Sequence, residues 1–231
     1  MARLKELSVF FPAYNEEANI ENTVRKALEA LPRITDTFEL IIVNDGSTDR
    51  TADIAGRLAR EFPRIKVITH PENRGYGAAV RSGLKASSYG HVFFTDGDGQ
   101  FDIRELSAFA ELAGEYDIVA GYRIDRQDPF YRLINAKAYN LLIRILFGLR
   151  VKDIDCAFKI IRKEVIDAIA LESESQFVSA EFLIKARKKG YTIVQKGARH
   201  LPREHGVPTG NSPANVINSF RELFTLWKDL K

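Results

Sequence analysis

Short apolar runs, each broken by a polar turn and followed by a helix-forming segment, recur through the first half of the chain. This alternation limits the possible folds more than any other feature. Leu7 to Phe11 is apolar and stops at Pro12. Phe38 to Val43 runs into Asn44–Asp45–Gly46–Ser47, and Ile65 to Thr69, His91 to Thr95 and Asp117 to Ala120 are further runs. Mostly apolar runs of this length read as strands buried on both faces. Helix signals lie between them. Asn15 is placed to cap a helix with early acids Glu16, Glu17 and Glu21 that ends at Pro32. Thr48 or Asp49 opens a second helix, closed by Pro63; Gly75 to Ala86 is a third, and Asp102 caps a fourth. Strands separated by helices predict parallel βαβ units in a doubly wound α/β sheet, where ligands bind at the carboxyl ends of the strands. The polar motifs fall at those ends, after Phe11, Val43 and Phe94.

The second half is less regular. Tyr131 to Leu149 reads as a helix, Ala157 to Ile161 as a strand, Ser179 to Lys189 as a helix and Tyr191 to Lys196 as a strand. Arg199 to Asn211 is a loop. Pro213 then opens an amphipathic helix with Val216, Phe220, Leu223 and Trp227 on one face. No repeat and no long linker divides the 231 residues, so a single domain is expected. Its charge is uneven: residues 1–121 carry 14 basic and 19 acidic side chains, whereas residues 122–231 carry 20 and 12. Carboxylates in the first part suit a metal. Basic residues in the second suit phosphates or an anionic membrane surface. A single cysteine, Cys156, excludes a disulfide framework and a cysteine zinc cluster and suits a reducing compartment. The apolar run before Pro12 is too short for a signal-peptide core, and no stretch reaches 18 apolar residues.

The strongest local signal is TDGDGQFD, Thr95 to Asp102. Two carboxylates two residues apart, just past an apolar strand, suit a hard divalent cation that keeps positions open for phosphate oxygens. A calcium loop does not fit, because Phe101 stands where the sharp turn needs glycine. A strand followed by Asp-x-Asp also resembles the nucleophile motif of haloacid dehalogenase phosphatases, and a carboxylate-rich surface turn is a third reading. No G-x-G-x-x-G follows the first strand, so a dinucleotide site has little support.

FPAYNEE (11–17), VNDGSTDRT (43–51), NRGYGAAVRSGL (73–84) and TDGDGQFD occur in this order on successive βα units. As a set they closely resemble family 2 glycosyltransferases of the GT-A fold. The resemblance implies a nucleotide diphosphate sugar as donor, held by Pro12, Tyr14, Glu16, Asp45 and Asp96, with Mg²⁺ or Mn²⁺ on Asp96, Asp98 and Gln100. The segments GYRIDRQDPFYRLINAKAYN, GLRVKDIDCAFKIIRKEV and LPREHGVPTG resemble the polyprenyl-phosphate branch, which includes dolichol-phosphate mannose synthases. That branch implies Arg132 and Lys137 at the acceptor phosphate and Arg203 near the donor diphosphate. Here Ala136 replaces its usual serine, Lys137 its arginine, and Gly206–Val207–Pro208–Thr209 its Gly-x-Ser-Lys. The expected reaction is an inverting hexose transfer to a polyprenyl phosphate. Asp98 and Arg203 would be catalytic, and Glu181 is the candidate base if the acceptor is instead a hydroxyl. A saccharide-acceptor transferase, a phosphatase and an inactive nucleotide-sugar-binding subunit are the alternatives. The expected setting is cytoplasmic and peripheral to a membrane, through Tyr131 to Leu149 or the C-terminal helix, the latter also a surface for dimerisation. No nucleic-acid partner is expected.

Overall fold

Alternation along each apolar run decides which layer it feeds. Val9 and Phe11 of strand β1 (Leu4–Ala13) join one core, and Phe10 joins the other. The same split separates Leu40 and Ile42 from Ile41 and Val43 in β2 (Thr35–Asn44), and Phe93 from Val92 and Phe94 in β4 (His91–Phe94). Both faces of these strands are therefore covered, as continuous apolar runs require. The remaining strands are β3 (Ile65–Thr69), β5 (Ile118–Ile124), β6 (Lys159–Arg162) and β7 (Ile193–Arg199). The helices are α1 (Ile20–Ala30), α2 (Thr51–Glu61), α3 (Tyr76–Ala86), α4 (Leu106–Ala113), α5 (Phe130–Phe147), α6 (Lys163–Asp167), α7 (Val178–Lys188) and α8 (Pro213–Asp229). This computed structural model describes residues 3–125, 130–206 and 213–229, without the side chains of 130–135 and 213–217.

The sheet has seven strands in the order β3-β2-β1-β4-β6-β5-β7. β3, β2, β1 and β4 are mutually parallel, and β5 is parallel to β7. β6 runs antiparallel to both β4 and β5, which makes the sheet mostly parallel. The chain winds outward from β1 through β2 to β3, then returns to place β4 on the other side of β1. That reversal opens a crevice at the carboxyl ends of β1 and β4. An edge-to-face aromatic cluster lies below it: the Phe158 ring is 4.7 Å from Phe93 and 4.8 Å from Phe109.

Element boundaries depart from expectation at two caps. Asn15 does not cap the first helix; α1 starts four residues later with Asn19 at its N-cap. Asn15 takes a left-handed backbone (φ 55°), and its Oδ1 accepts the Thr48 amide at 2.8 Å. Asn tolerates that conformation because its short amide bonds locally. The second helix starts at Thr51, whose amide donates to Asp49 Oδ1 at 2.9 Å. Asp102 caps as expected, accepting the Arg104 amide at 3.0 Å. Among the described residues, no helix is long and apolar enough to cross a membrane.

Candidate active site

The loops after β1 and β2 are joined residue by residue. Asn15 N donates to Ser47 Oγ (2.9 Å), Glu16 N to Thr51 Oγ1 (2.8 Å) and Glu17 N to Asp49 Oδ2 (3.0 Å). Pro12 is buried at the end of β1, and its carbonyl accepts Gly97 N at 3.2 Å, which ties the first loop to the metal-type turn. Tyr14 is half-buried in the same loop.

The late loop lies across the turn at Asp96 to Gln100. Leu201 N donates to Gln100 O (2.8 Å), and Gln100 Nε2 donates to Leu201 O (3.1 Å). The Gln100 side chain, expected with the metal ligands, is thus engaged with the late loop. Arg203 follows. Its Nη2 donates to Glu16 Oε1 at 2.6 Å and its Nη1 to Asp98 Oδ2 at 3.3 Å, while Nε bonds His205 O at 2.7 Å. Glu16 also accepts Asn19 Nδ2 at 2.7 Å. Glu16, Asp98 and Arg203 therefore form one cluster assembled from three distant parts of the chain.

The groups facing Asp96 and Asp98 do not offset their loss of solvation. Burial, and then the neighbouring Asp98 carboxylate, push the Asp96 carboxyl up to about 7; the hydrogen bond from Tyr76 opposes this. Burial also raises Asp98, against the Gln100 amide and Arg203. Tyr76 Oη donates to Asp96 Oδ1 at 3.0 Å, and burial followed by the Asp96 charge lifts the phenol well above its usual value, so it remains a donor. Half-buried carboxylates that resist ionisation, with an arginine already drawn to one of them, are a donor set matched to a divalent cation. No group of three or more His, Cys, Asp or Glu side chains that could hold a metal occurs among the described residues. A cation here would rest on Asp96 and Asp98 and take its other oxygens from a ligand.

Asp45 is 3% exposed and engaged within the chain. Its Oδ1 accepts Arg74 N (3.0 Å), its Oδ2 accepts Gly75 N (2.9 Å), and His70 Nδ1 lies 2.6 Å from Oδ1. With that nitrogen donating, His70 Nε2 accepts the Ser82 hydroxyl at 2.8 Å. Asp45 thereby shapes the turn that presents Arg74. Arg81 does not face solvent freely: its Nη1 donates to the carbonyls of Glu172 (2.6 Å) and Ser173.

Glu181 lies at the start of α7 and is 3% exposed. Its carboxylate accepts Glu172 N (3.0 Å), Ser173 N (2.9 Å) and Lys185 Nζ (2.6 Å). Among the described residues, no hydrogen bond joins it to the Glu16–Asp98 cluster. Lys137 is exposed on α5, and the side chain of Arg132 lies outside the described residues. Three participants carried no sequence signal of their own: Tyr76, His70 and Lys159. Lys159 is fully buried; its Nζ donates to Ile154 O (3.2 Å) and Cys156 O, and burial lowers its pKa.

Comparison with known proteins follows this geometry. Glycosyltransferase AglD of Haloferax volcanii is 34% identical over 202 residues, which span 82% of this chain and 32% of that protein. An undecaprenyl-phosphate 4-deoxy-4-formamido-L-arabinose transferase of Pseudomonas syringae is 31% identical over 96% of this chain and 65% of its own length. The chain thus spans about a third of the first relative and just under two thirds of the second. Glucosyl-3-phosphoglycerate synthase of Mycobacterium tuberculosis, solved with uridine diphosphate, shares the fold: TM-score 0.72 at 21% identity, over 97% of this chain and 80% of that one. Residues 8–170 match the model of Glycosyl transferase family 2. With the Asp96–Asp98 turn at the crevice of a GT-A sheet, the chain belongs to glycosyl transferase family 2.

Proposed function

We propose that this chain transfers a hexose, with inversion, from a nucleotide diphosphate sugar to a polyprenyl phosphate at a membrane surface. The observation that carries the choice of acceptor is the engagement of Glu181. A hydroxyl nucleophile needs a general base within reach. The candidate base is instead buried and held by two backbone amides and Lys185. A phosphate monoester has its second pKa near about 6 and attacks already ionised. The curated relative named for undecaprenyl phosphate supports the same class of acceptor.

In this reading the loops at Pro12, Tyr14, Glu16 and Asp45 hold the nucleoside, and Asp96 and Asp98 face the diphosphate. These carboxylates would hold a divalent cation, which would supply charge neutralisation for the departing diphosphate. An acceptor phosphate oxygen forms the new bond to the anomeric carbon as the bond to the diphosphate breaks, and the leaving nucleoside diphosphate keeps the electron pair. Arg203 moves from Glu16 and Asp98 toward the diphosphate and stabilises its growing charge. Arg132 and Lys137 orient the acceptor phosphate.

The apolar tail requires a route from the membrane. Leu141 (55% exposed) and Ile145 (70%) lie one turn apart on α5, and Phe220 (37%) and Phe224 (46%) do so on α8. Tyr139 and Phe220 meet edge to face at 5.9 Å, which joins the two helices. Lys137, Arg144 and Arg150 are exposed nearby in sequence, the pattern of a helix lying in an anionic interface. The deciding experiment offers UDP- and GDP-hexoses with Mn²⁺ to the protein beside undecaprenyl phosphate, undecaprenol and free saccharides, and identifies products by mass spectrometry. A phosphate-linked lipid sugar is expected. Transfer to a hydroxyl alone would replace this reading with the saccharide-acceptor one.

A further inference from the structure

Tyr76 opens helix α3 directly after a loop that closes on Asp45 and packs on the backbone of residues 173–174. Immediately before it, Arg74 N and Gly75 N close on the Asp45 carboxylate at 3.0 and 2.9 Å. On either side of it, Gly75 and Gly77 press against the backbone of residues 173–174. A Cβ on Gly75 (φ +91°) would lie 2.5 Å from Glu174 O, and one on Gly77 would lie 2.3 Å from Ser173 O. Gly77 N donates to Glu174 O at 3.0 Å. The backbone around Tyr76 is therefore fixed from both sides, and the residue opens helix α3 with its ring packed against an apolar core. From this fixed base its hydroxyl reaches Asp96 Oδ1 at 3.0 Å.

We infer that Tyr76 is a positioning residue for metal capture. Its hydroxyl holds one oxygen of Asp96 and registers the metal turn against the loop that closes on Asp45. The inference rests on the reading of Asp96 as a metal ligand. Carboxylate ligands are commonly oriented by such a hydrogen bond, and its loss weakens metal binding by about 10–100-fold in general. A phenol on a rigid backbone does this with little freedom to lose, whereas a long flexible side chain would not.

The test is Mn²⁺ affinity, read by paramagnetic resonance of the free ion with UDP and, in parallel, with GDP. Tyr76→Phe keeps the ring and removes only the hydroxyl. It should raise the Mn²⁺ dissociation constant about tenfold while the metal-free circular dichroism stays unchanged. Asp96→Asn should lose Mn²⁺ binding, and Tyr76→Phe added to it should change nothing further. A merely structural role would lower thermal stability and leave Mn²⁺ affinity alone. A Tyr76→Phe chain that binds Mn²⁺ within about twofold of wild type would overturn the inference and leave the metal reading intact. A wild-type chain that binds no Mn²⁺ with either nucleotide would overturn both. As a second measurement, 3-fluorotyrosine at position 76 should show a ¹⁹F signal broadened by Mn²⁺ in the otherwise unaltered protein; an unbroadened signal in a chain that binds the ion would also overturn the inference.

Discussion

Glu39, within the sheet, and the Asp96–Asp98 pair, on the turn past β4, behave oppositely. Glu39 on β2 accepts Ser8 Oγ at 2.6 Å, Ser88 N at 2.7 Å and Lys66 Nζ at 2.6 Å. Burial works against its charged form, but hydrogen bonds from Lys66, Ser8 and Ser88 outweigh it and hold the carboxyl below its ordinary value. Asp96 and Asp98, at the carboxyl end of β4, are shifted up instead, because burial is not matched by nearby donors. The first group is complete and serves the fold. The second is incomplete, and on the proposed reading a ligand at the crevice finishes it. The contrast teaches that the supply of partners, and not burial alone, separates a structural carboxylate from a functional one.

The largest expected effect breaks that contrast at the functional end. Asp98→Asn keeps size and removes charge, so kcat/KM should fall at least about 10²-fold. The metal-free melting temperature should stay or rise. Full activity in EDTA would remove the metal role.

Next comes the structural end. Glu39→Leu leaves the Ser8 hydroxyl without its acceptor and the Ser88 amide with only the longer bond to Ser8 Oγ (3.1 Å), and urea unfolding should show a loss of roughly 2–3 kcal/mol. Turnover per folded molecule should stay within about twofold. A large loss of turnover at unchanged stability would mean that the two groups are not separate.

A pH scan of metal-free stability sharpens the comparison further. Asp96 binds its proton more tightly folded than unfolded, so its contribution falls as pH rises from about 4 to about 7. Asp96→Asn should therefore stabilise the metal-free chain at pH 7 and flatten that limb. Glu39 has the opposite sign. Its folded value is lowered, so its contribution is present above about 4.5 and is lost as pH falls through the folded value. A stability profile that keeps its neutral limb in Asp96→Asn would contradict this assignment.

The smallest effect concerns Glu181, which the same criterion groups with Glu39. Glu181→Gln should cost about 1 kcal/mol through the weakened contact with Lys185 and leave turnover within about tenfold. A collapse of about 10²–10⁴-fold, the usual contribution of a general base, in a folded variant that still binds donor would place Glu181 in the chemistry and favour a hydroxyl acceptor.

Much of this protein was legible in local sequence because the responsible forces are local. Apolar runs made the strands visible, and β3 matches its expected bounds of Ile65 to Thr69. The position of TDGDGQFD after an apolar run marked the crevice, since a parallel strand must end where its ligand loop begins. What local sequence did not show depended on distant partners. Asn15 reads as a helix cap, yet Thr48 draws it into the left-handed region. Asp45 is implied as a donor contact, and the structure adds that His70, Arg74 and Gly75 surround it.

The sequence by itself determined the mostly parallel α/β architecture, the order of the loops and the pair of carboxylates that face the crevice. Only the tertiary structure decided the antiparallel insertion of β6, the hold of Tyr76 on Asp96 and the engagement of Glu181. It also brought Arg203 to Glu16, 187 residues away, and to Asp98, 105 away. Periodicity and capping are set by neighbours within a few residues. The charge state and reach of a buried side chain are set by whichever groups the fold brings within a few ångströms, and no local pattern encodes that choice.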